Sequence, residues 1–379
     1  MLKQLQLKKK LVRWNNFINM SFTDAERNKL SLFFKQKNVQ IQNNHLTWKD
    51  KTNNHILLVD GNNLFLRGYC ASTNMDRNGN NSGGVVASLK SLGYAIKLLV
   101  PSRVIVIFDG VGGSVKRKQL YPDYKAHRSN KIRLNRIYEE NSTSETEDQN
   151  KQRQYLQFIN YLQVLPLNIV SENNVEADDV IAYLALDYFK SSKKVTIFSS
   201  DKDFLQLCDQ RINVYSATKK RIYGVKEVVE EYNIHPNNYV LYRAMDGDES
   251  DNIPGIDRAG LKTICKHFPY LKDEQVHTID EIVKSATDLR NKFTVCENIT
   301  SNRSVIGRNY ALMQLKDTAL GTTCQLHLEE ILNPSKIPLM DRNMFFQLIR
   351  KDGLSNNMPD YNTWIGTCFD FLNSAVRTE

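Results

Sequence analysis

The sequence lacks the features that mark disulfide-rich, zinc-binding and membrane-spanning proteins. Its six cysteines are widely scattered, with no Cys-x-x-Cys pair, which argues against a disulfide framework and against zinc. No apolar stretch approaches the roughly 20 residues that cross a bilayer, and the Lys-rich N-terminus has no hydrophobic signal core. These absences predict a soluble protein of a reducing intracellular compartment, without membrane contact.

Positive charge is concentrated at the N-terminus. The 379 residues carry a net charge of +9, and the first 54 hold eleven basic residues against three acidic ones. Such an excess fits a protein that binds polyanions, without proving it. We therefore separate residues 1–54 as a basic N-terminal extension, followed by enough chain for two domains.

Three short apolar runs each end in acidic residues: His55–Asp60, Val104–Asp109 and Val195–Asp203. Their length and β-branched content predict buried parallel strands. Open α/β sheets bind ligands outside the carboxyl ends of such strands, and two further acidic clusters follow, in Glu176–Asp179 and Asp248–Asp251. The sequence therefore predicts that nine carboxylates share one site: Asp60, Asp109, Glu176, Asp178, Asp179, Asp201, Asp203, Asp248 and Asp251.

Each acid taken singly also has a purely structural interpretation. Asp60 and Asp109 precede glycine and suit turns, whereas Asp178 and Asp201 suit the caps of following helices. Three strand-terminal acids together with two tight acidic clusters are much harder to explain in this way, so we favour the shared site.

Nine crowded carboxylates are tolerable only with bound cations, because like charges held close together resist simultaneous ionisation. Magnesium prefers oxygen ligands and usually takes one or two carboxylates directly. The set therefore suits two Mg²⁺ ions with a water-bridged outer shell, and Mn²⁺ is an expected substitute. Two such ions about 3.5 to 4 Å apart can clamp the attacking and leaving oxygens of a phosphoryl displacement. The sequence thus points to phosphodiester chemistry.

Strands alternate with helical patterns over residues 55–235, which predicts an α/β catalytic domain with a mainly parallel central sheet flanked by helices. A basic insert occupies residues 110–155 and includes a polar tract at 139–150 that we expect to be flexible. A long cationic insert suits gripping a nucleic-acid strand; the alternative is a solvated surface excursion. Residues 236–379 are predicted to form a helical C-terminal domain.

Two predicted helices, around Tyr239–Met245 and Ala259–His267, flank a glycine-containing turn. Lys262 and Thr263 lie near the second N-terminus, where exposed N–H groups can bind backbone phosphates. Such contacts position DNA without reading its sequence.

Six motifs in order resemble the 5′ nuclease family, which includes flap endonucleases, the 5′ nuclease domain of bacterial DNA polymerase I and, with the strongest resemblance, the stand-alone phage ribonuclease H of T-even type. The resemblance runs from about Asp60 to Lys262. The motifs are Leu-Val-Asp60-Gly-Asn, Phe-Asp109-Gly, Tyr124-Lys125-x-x-Arg128, Glu176-Ala-Asp178-Asp179, Ser200-Asp201-Lys-Asp203-Phe and Gly247-Asp248-x-x-Asp251-Asn-Ile-Pro-Gly.

The resemblance implies a role for most of these residues. The insert would form a helical arch over the active site, with Lys125 and Arg128 at the scissile phosphate. Residues 239–270 would form a helix-three-turn-helix element that binds the duplex backbone and a K⁺ ion. One Mg²⁺ would lie nearest Asp60, Asp109, Glu176 and Asp178, and the other nearest Asp201, Asp203 and Asp251, with Asp179 and Asp248 as outer-shell groups. The expected catalytic residues are Lys125, Arg128, Asp178 and Asp201, and the expected DNA-binding residues are Tyr124, Lys125, Arg128, Gly255, Gly260, Lys262 and Thr263.

Two features depart from the family pattern. The family's hairpin commonly reads Gly-x-Gly before Lys-Thr, whereas Arg258 replaces the first glycine here, which puts the shape of the hairpin and its K⁺ site in question. The 54-residue extension is longer than usual. It contains a capping-box pattern at Thr23–Glu26 and apolar residues at helical spacing within Leu30–Phe34.

The apolar part of the extension faintly resembles a sliding-clamp-binding motif. Arg27 stands where that motif has Gln, so packing on the main domain is the favoured expectation. The other interpretations of residues 1–54 are a DNA-binding arm, a partner-docking segment, or an addition upstream of a true start at Met20.

The sequence thus predicts a Mg²⁺-dependent 5′ nuclease, acting as a monomer in the cytoplasm of a bacterium or of a phage-infected cell. Its expected substrates are branched, flapped or nicked duplex DNA and RNA–DNA hybrids, with primer removal in replication as the role. A single-stranded-DNA-binding protein and a sliding clamp are candidate partners. Two rival hypotheses are a non-catalytic binder of branched DNA and a ribonuclease of the related PIN type.

Overall fold

The computed structural model describes residues 55–126, 146–318 and 320–377. The basic extension 1–54, Arg128 and the tract 139–145 lie outside the described residues. Packing divides the chain into two compact units. Of the described residues, the first unit contains 55–113, 146–177 and 321–377, and the second contains 114–126, 178–318 and 320.

The first unit is built on three parallel strands, β1 (His55–Asp60), β2 (Arg103–Asp109) and β3 (Asn168–Glu172), with β2 in the middle. Asp60 pairs with Ile107, and Asp109 pairs with Glu172. The apolar residues of β1 are fully buried, as expected of a parallel strand covered on both faces. The helices of this unit are α1 (Gly61–Ala71), α2 (Gly83–Leu99), α4 (Glu147–Leu162), α12 (Thr322–Ile331), α13 (Arg342–Lys351) and α14 (Tyr361–Arg377).

The second unit contains β4 (Lys194–Phe198), β5 (Ile212–Ser216) and β6 (Arg221–Tyr223). β4 and β5 are parallel, whereas β5 and β6 are antiparallel. Its helices are α3 (Val115–Leu120), α5 (Ala177–Tyr183, which begins at the boundary between the units), α6 (Val225–Tyr232), α7 (Pro236–Asp246), α8 (Leu261–His267), α9 (Ile279–Leu289), α10 (Thr294–Ser301) and α11 (Arg303–Met313). Short 3₁₀ turns span Lys202–Leu207, Glu249–Asp251 and Pro269–Lys272.

The predicted fold class is confirmed. The strands are mainly parallel and flanked by helices, and beyond β6 every named element of the described residues is helical. The predicted helix around Tyr239–Met245 is α7, which opens with Pro236 in its first turn, where the missing N–H costs nothing. Among the described residues, no helix has the length and apolar character needed to cross a membrane.

The polar tract predicted to be flexible needs a correction at its end. Residues 147–150 form the first turn of α4, because Thr146 and Gln149 build a reciprocal capping box there. The preceding residues 139–145 lie outside the described part of the chain.

The compact units divide the chain differently from the predicted boundary at residue 235. Residues 321–377 belong to the first unit with β1, β2 and β3. His327 on α12 is hydrogen-bonded to Glu172 at the end of β3, and α14 packs against α2. Long-range packing of this kind leaves no mark on local sequence patterns.

Candidate active site

The acids that end β1 and β2 lie at the same edge of the first unit. Asp60 is buried, and its Oδ1 caps α1 by accepting the N–H of Asn63 at 3.0 Å. Burial, then the charges of Asp109 and Asp60, raise the pKa of Tyr155 on α4. Asp60 pairs with Ile107, two residues before Asp109, and Asn62 at the start of α1 is hydrogen-bonded to Asp109. The two acids therefore lie close together, as the parallel strands predict.

Asp109 is held on both of its oxygens. Its Oδ1 accepts the backbone N–H of Ala177 at 2.8 Å, and its Oδ2 accepts Nδ2 of Asn62 at 2.6 Å. The first of these bonds brings Glu176, the buried residue before Ala177, to the end of β2. Gly110 permits this approach, since a Cβ there would lie 1.5 Å from the carbonyl oxygen of Glu172.

Asp178 and Asp179 lie in the first turn of α5. Glu176 directly precedes α5, which begins at Ala177. Carboxylates are favoured at a helix N-terminus because they face the positive end of the macrodipole.

Asp179 is engaged by an arginine that the sequence did not single out. Arg117 on α3 donates Nη1 and Nη2 to the two carboxylate oxygens at 2.9 and 2.8 Å, and its Nε donates to the carbonyl oxygen of Leu312 at 2.8 Å. A bidentate guanidinium pair of this kind is strong and geometrically specific. It suits the outer-shell role expected of Asp179.

Asp201 and Asp203 form a close pair in the second unit. Asp201 caps the 3₁₀ turn that follows β4, its Oδ1 accepting the N–H of Asp203 at 2.8 Å. Burial raises the pKa of Asp201. Burial, and next the charge of Asp201, raise the pKa of Asp203 to about 7.

Two more acids lie near this pair. Arg243 on α7 is hydrogen-bonded to both Asp203 and Asp248, and the N–H of Asp251 donates to Asp248 Oδ1 at 3.3 Å. The charges of Asp251 and Asp248 add to the effect of burial in raising the pKa of Asp201. The second unit therefore gathers four of the nine predicted acids: Asp201, Asp203, Asp248 and Asp251.

Arg243 on α7 is the counter-ion of this acidic group. Its Nε donates to Asp203 at 2.8 Å, its Nη2 to Asp248 at 2.5 Å, and its Nη1 to the carbonyl oxygen of Gly247 at 2.9 Å. The side chain is only 8% exposed. Arg243 was not predicted from the sequence. The available signal was its position, three residues before the end of a helix that is followed by an acidic loop.

Asp251 is tied to the segment that carries Lys125. The Tyr124 hydroxyl donates to Asp251 Oδ2 at 3.2 Å, and the Lys125 N–H donates to the Asp251 carbonyl oxygen at 2.9 Å. Lys125 Nζ lies 4.8 Å from the centroid of the Tyr124 ring. The structure thus brings one of the two predicted phosphate-binding cations to this group of acids.

Tyr124 is buried, with 3% of its surface exposed, and its ring packs with Val240, Ile253 and Leu312. The apolar cluster and Lys125 Nζ both lie against the ring, which is almost completely removed from solvent. Its hydroxyl bond to Asp251, rather than stacking on a base, is therefore the contribution of Tyr124 that the packing supports.

The predicted hairpin follows α7 in a tightly closed loop. Gly247 has φ +81°, and a Cβ there would meet the nitrogen of Gly255 at 2.4 Å, so both positions exclude larger residues. Asn309 closes the loop from outside by donating to the carbonyl oxygens of Ala244 and Pro254 at 3.0 and 2.8 Å.

Arg258 occupies the position where the family pattern has glycine, and it has φ +64°. That left-handed conformation favours glycine, which accounts for the family's residue. The remaining predicted contacts lie at the surface around α8: Gly255, Gly260 and Lys262 are exposed, and Thr263 is half-buried.

The raised pKa of Asp203 predicts a pH-dependent stability in metal-free protein. Because its pKa rises from an ordinary 3.8 to about 7 on folding, its contribution to the free energy of unfolding is complete below pH 3.8. That contribution is lost as the pH rises through about 7, at about 1.4 kcal/mol per pKa unit. Denaturant unfolding in chelator between pH 4 and 8 measures this slope.

Asp203→Asn should flatten that slope, and Asp288→Asn, the same change at an exposed position on α9, should leave it as in the unsubstituted protein. Equal slopes for all three proteins would contradict the assignment of this titration to Asp203.

Comparison with known proteins identifies the family of this chain. A family model described as the N-terminal, resolvase-like domain of 5′-3′ exonucleases matches residues 55–233. The 5′-3′ exonuclease of Buchnera aphidicola subsp. Schizaphis graminum is 30% identical over 223 residues, which cover 58% of this chain and 72% of that protein. The chain belongs to the 5′-3′ exonuclease family.

Other members match in the same way. The 5′-3′ exonuclease of Aquifex aeolicus is 27% identical over 62% of this chain and 82% of its own length. DNA polymerase I of Rhizobium leguminosarum is 27% identical over 67% of this chain but only 24% of the polymerase. Family membership makes the chain a nuclease, that is, a phosphodiester hydrolase.

The fold is shared with a solved member. The structure of the T5 D15 protein superposes with a TM-score of 0.57 at 21% identity, covering 74% of this chain and 99% of that protein. The family recognised from the six sequence motifs is confirmed.

Proposed function

We propose that this chain is a Mg²⁺-dependent, structure-specific 5′ nuclease that cuts near the 5′ ends of branched, flapped or nicked duplex DNA and of RNA–DNA hybrids. Primer removal during replication is the role that this activity fits. The observation that carries the proposal is the gathering of strand-terminal carboxylates in each unit, in a chain of the 5′-3′ exonuclease family.

The residues fit a magnesium centre by their chemistry. Among the described residues, no three His, Cys, Asp or Glu side chains form a preformed metal cage. Mg²⁺ does not need one, since it keeps several waters and takes one or two carboxylates directly. The groups described here offer carboxylate oxygens and neither thiol nor imidazole, as a hard cation prefers.

We assign one ion to the first group of acids and a second ion to the other. The first group is Asp60, Asp109, Glu176 and Asp178, and the second is Asp201, Asp203 and Asp251. When bound, the ions supply Lewis-acid activation and charge neutralisation for phosphoryl displacement. Asp179 and Asp248, each held by an arginine, are outer-shell groups in this assignment.

The chain's own cations complete the proposed site. Lys125, next to Asp251, and Arg128 neutralise the phosphate that is cut, which favours the charge developing during displacement. Gly255, Gly260, Lys262 and Thr263 bind the duplex backbone, and a K⁺ ion at the hairpin is part of the proposal. A bacteriophage T5 D15 flap endonuclease of the same fold has been solved with DNA and metal ions, which supports this substrate class.

One assay tests the proposed function. End-labelled 5′-flap DNA and an RNA–DNA hybrid are incubated with the protein in Mg²⁺, and separately in chelator. We expect cleavage near the 5′ end of both substrates in Mg²⁺ and none in chelator. Chelator-resistant cutting would contradict the metal mechanism, binding without cutting would favour a non-catalytic branched-DNA binder, and cutting of single-stranded RNA alone would favour a PIN-type ribonuclease.

A further inference from the structure

A chain of hydrogen bonds leads from the interior of the first unit to Asp109. The hydroxyl of Tyr155 on α4 donates to Oδ1 of Asn62 at 3.1 Å, and Nδ2 of Asn62 donates to Oδ2 of Asp109 at 2.6 Å. Asn62 lies two residues after Asp60, in the first turn of α1. Neither Asn62 nor Tyr155 has a role in the proposed mechanism.

We propose that Asn62 and Tyr155 are positioning residues, which fix the orientation of the Asp109 carboxylate for a divalent cation. This inference rests on the proposed function, because Asp109 is a ligand only if the nuclease binds metal. It adds two residues that act through Asp109 without touching the substrate.

The direction of each bond supports this role. A side-chain amide can face a carboxylate usefully only through its NH₂ group, since its oxygen would be repelled by the negative charge. The Tyr155 hydroxyl donates to the amide oxygen and thereby keeps the NH₂ group of Asn62 turned towards Asp109. A phenol is protonated near neutral pH and can therefore donate, and burial raises the pKa of Tyr155 further above its ordinary value.

The Tyr155 ring is itself held in place. It packs edge-on against Phe65 and Phe108, with ring centroids 5.0 and 5.7 Å apart. Phe108 directly precedes Asp109, so the residue that packs against the Tyr155 ring is next in the chain to the residue that carries the carboxylate. With the N–H of Ala177 on the other oxygen, Asp109 is fixed from two sides while remaining partly exposed.

Fixing a ligand in advance raises metal affinity, because less conformational freedom is lost on binding. Outer partners of metal ligands typically account for about 10- to 100-fold in affinity. Asn62 bonds the ligand itself, so Asn62→Ala should lower Mn²⁺ affinity by about that factor. Tyr155→Phe removes one bond further out and should lower it about fivefold.

The test measures Mn²⁺ binding to the full chain by calorimetry and, in parallel, the Mg²⁺ concentration that gives half-maximal cleavage. Tyr161→Phe is the matched control, because Tyr161 is a fully buried tyrosine on the same helix that packs against Phe345. We expect Tyr155→Phe to weaken metal binding and to raise the half-maximal Mg²⁺ concentration about fivefold. Its rate at saturating Mg²⁺ should stay within about twofold of the unsubstituted rate, since the ligand set is intact.

The outcomes separate this inference from the proposed function. If the unsubstituted protein binds Mn²⁺ and both Tyr155→Phe and Asn62→Ala bind it with the same affinity, the positioning role is overturned and the nuclease proposal stands. A lower melting temperature with unchanged Mn²⁺ affinity would show a purely structural role and also overturn it. If the unsubstituted protein binds no divalent cation, the proposed metal mechanism and the positioning role fail together.

Discussion

Replacing Asp201 or Asp178 with asparagine is expected to lower the rate of flap cleavage by about three orders of magnitude while leaving DNA binding nearly intact. Each substitution removes one negative charge from the proposed metal site, and losing several kcal/mol of transition-state stabilisation corresponds to a rate change of this size. In the proposed mechanism DNA binding rests on cations and backbone N–H groups elsewhere, so its affinity should change little.

Asparagine is well suited to test Asp201. The Oδ1 of Asp201 caps the 3₁₀ turn at Lys202–Leu207 by accepting the N–H of Asp203, and an amide oxygen can accept the same bond. Asp201→Asn therefore keeps the local fold and removes only the charge. Asp288→Asn on the exposed face of α9 is the matched control and should cut at the unsubstituted rate.

Single-turnover cleavage of an end-labelled flap, with binding measured in chelator, separates the two effects. If Asp201→Asn and Asp178→Asn both cut as fast as the unsubstituted protein, the assignment of the site is wrong. If they cut slowly only because binding weakens in proportion, the loss reports weaker substrate binding and not the proposed loss of a metal ligand.

The strand-terminal acids could be predicted because their signal is local. A buried β-branched run such as Val104–Asp109 marks its own end, and parallel strands place their carboxyl ends at one edge. The structure gathers Asp60 with Asp109, and Asp201 with Asp203, at the ends of strands or shortly beyond them.

The two interpretations weighed for single acids turned out not to be alternatives. Asp201 caps a helical turn, as the structural interpretation predicted, whereas Asp60, which that interpretation assigned to a turn, caps α1. Asp248 caps the turn at Glu249–Asp251. Capping by Asp60 and Asp201 uses Oδ1 in both cases. A cap fixes the orientation of a carboxylate, which is what a metal ligand also needs.

The counter-ions could not be predicted, because each depends on a contact between distant residues. Arg117 and Asp179 are 62 positions apart, and Arg243 and Asp203 are 40 positions apart. Arg117 belonged to a basic segment that suggested DNA contact. Its bidentate bond to Asp179 depends on the packing of α3 near α5, which the local sequence does not specify.

Tyr124 shows the same limit for an aromatic residue. In the sequence it lies between basic residues, which is typical of a nucleic-acid-binding surface. In the structure its ring packs with Val240 and Ile253. The apolar partners that bury it come from α7 and the loop after α7, more than a hundred residues along the chain.

Replacing Arg243 with methionine is expected to cost about 3 to 5 kcal/mol of folding stability, the usual effect of breaking a buried ion pair by removing one partner. Three acceptors lose their donor at once: the carboxylates of Asp203 and Asp248 and the carbonyl oxygen of Gly247. Methionine fills much of the same volume, so the loss reports the charge and hydrogen bonds more than a cavity.

Two matched variants sharpen this test. Arg221→Met removes an arginine that pairs with Glu230 and Glu231 but is 40% exposed, and it should cost at most about 1 kcal/mol because solvent screens such pairs. Arg243→Lys keeps the charge but not the planar fork, so its cost should fall between the other two. Denaturant unfolding in chelator at one fixed pH, 7.5, measures the stability of all three variants.

Magnesium should restore part of the stability lost in Arg243→Met, because a bound cation replaces the missing positive charge beside Asp203. A ligand that binds only the folded state stabilises that state. The same concentration of Mg²⁺ should help Arg221→Met no more than the unsubstituted protein. If Arg243→Met loses no more folding stability than Arg221→Met, the carboxylates of the second unit do not depend on this guanidinium. Solvation by water or another cation then already compensates their charge.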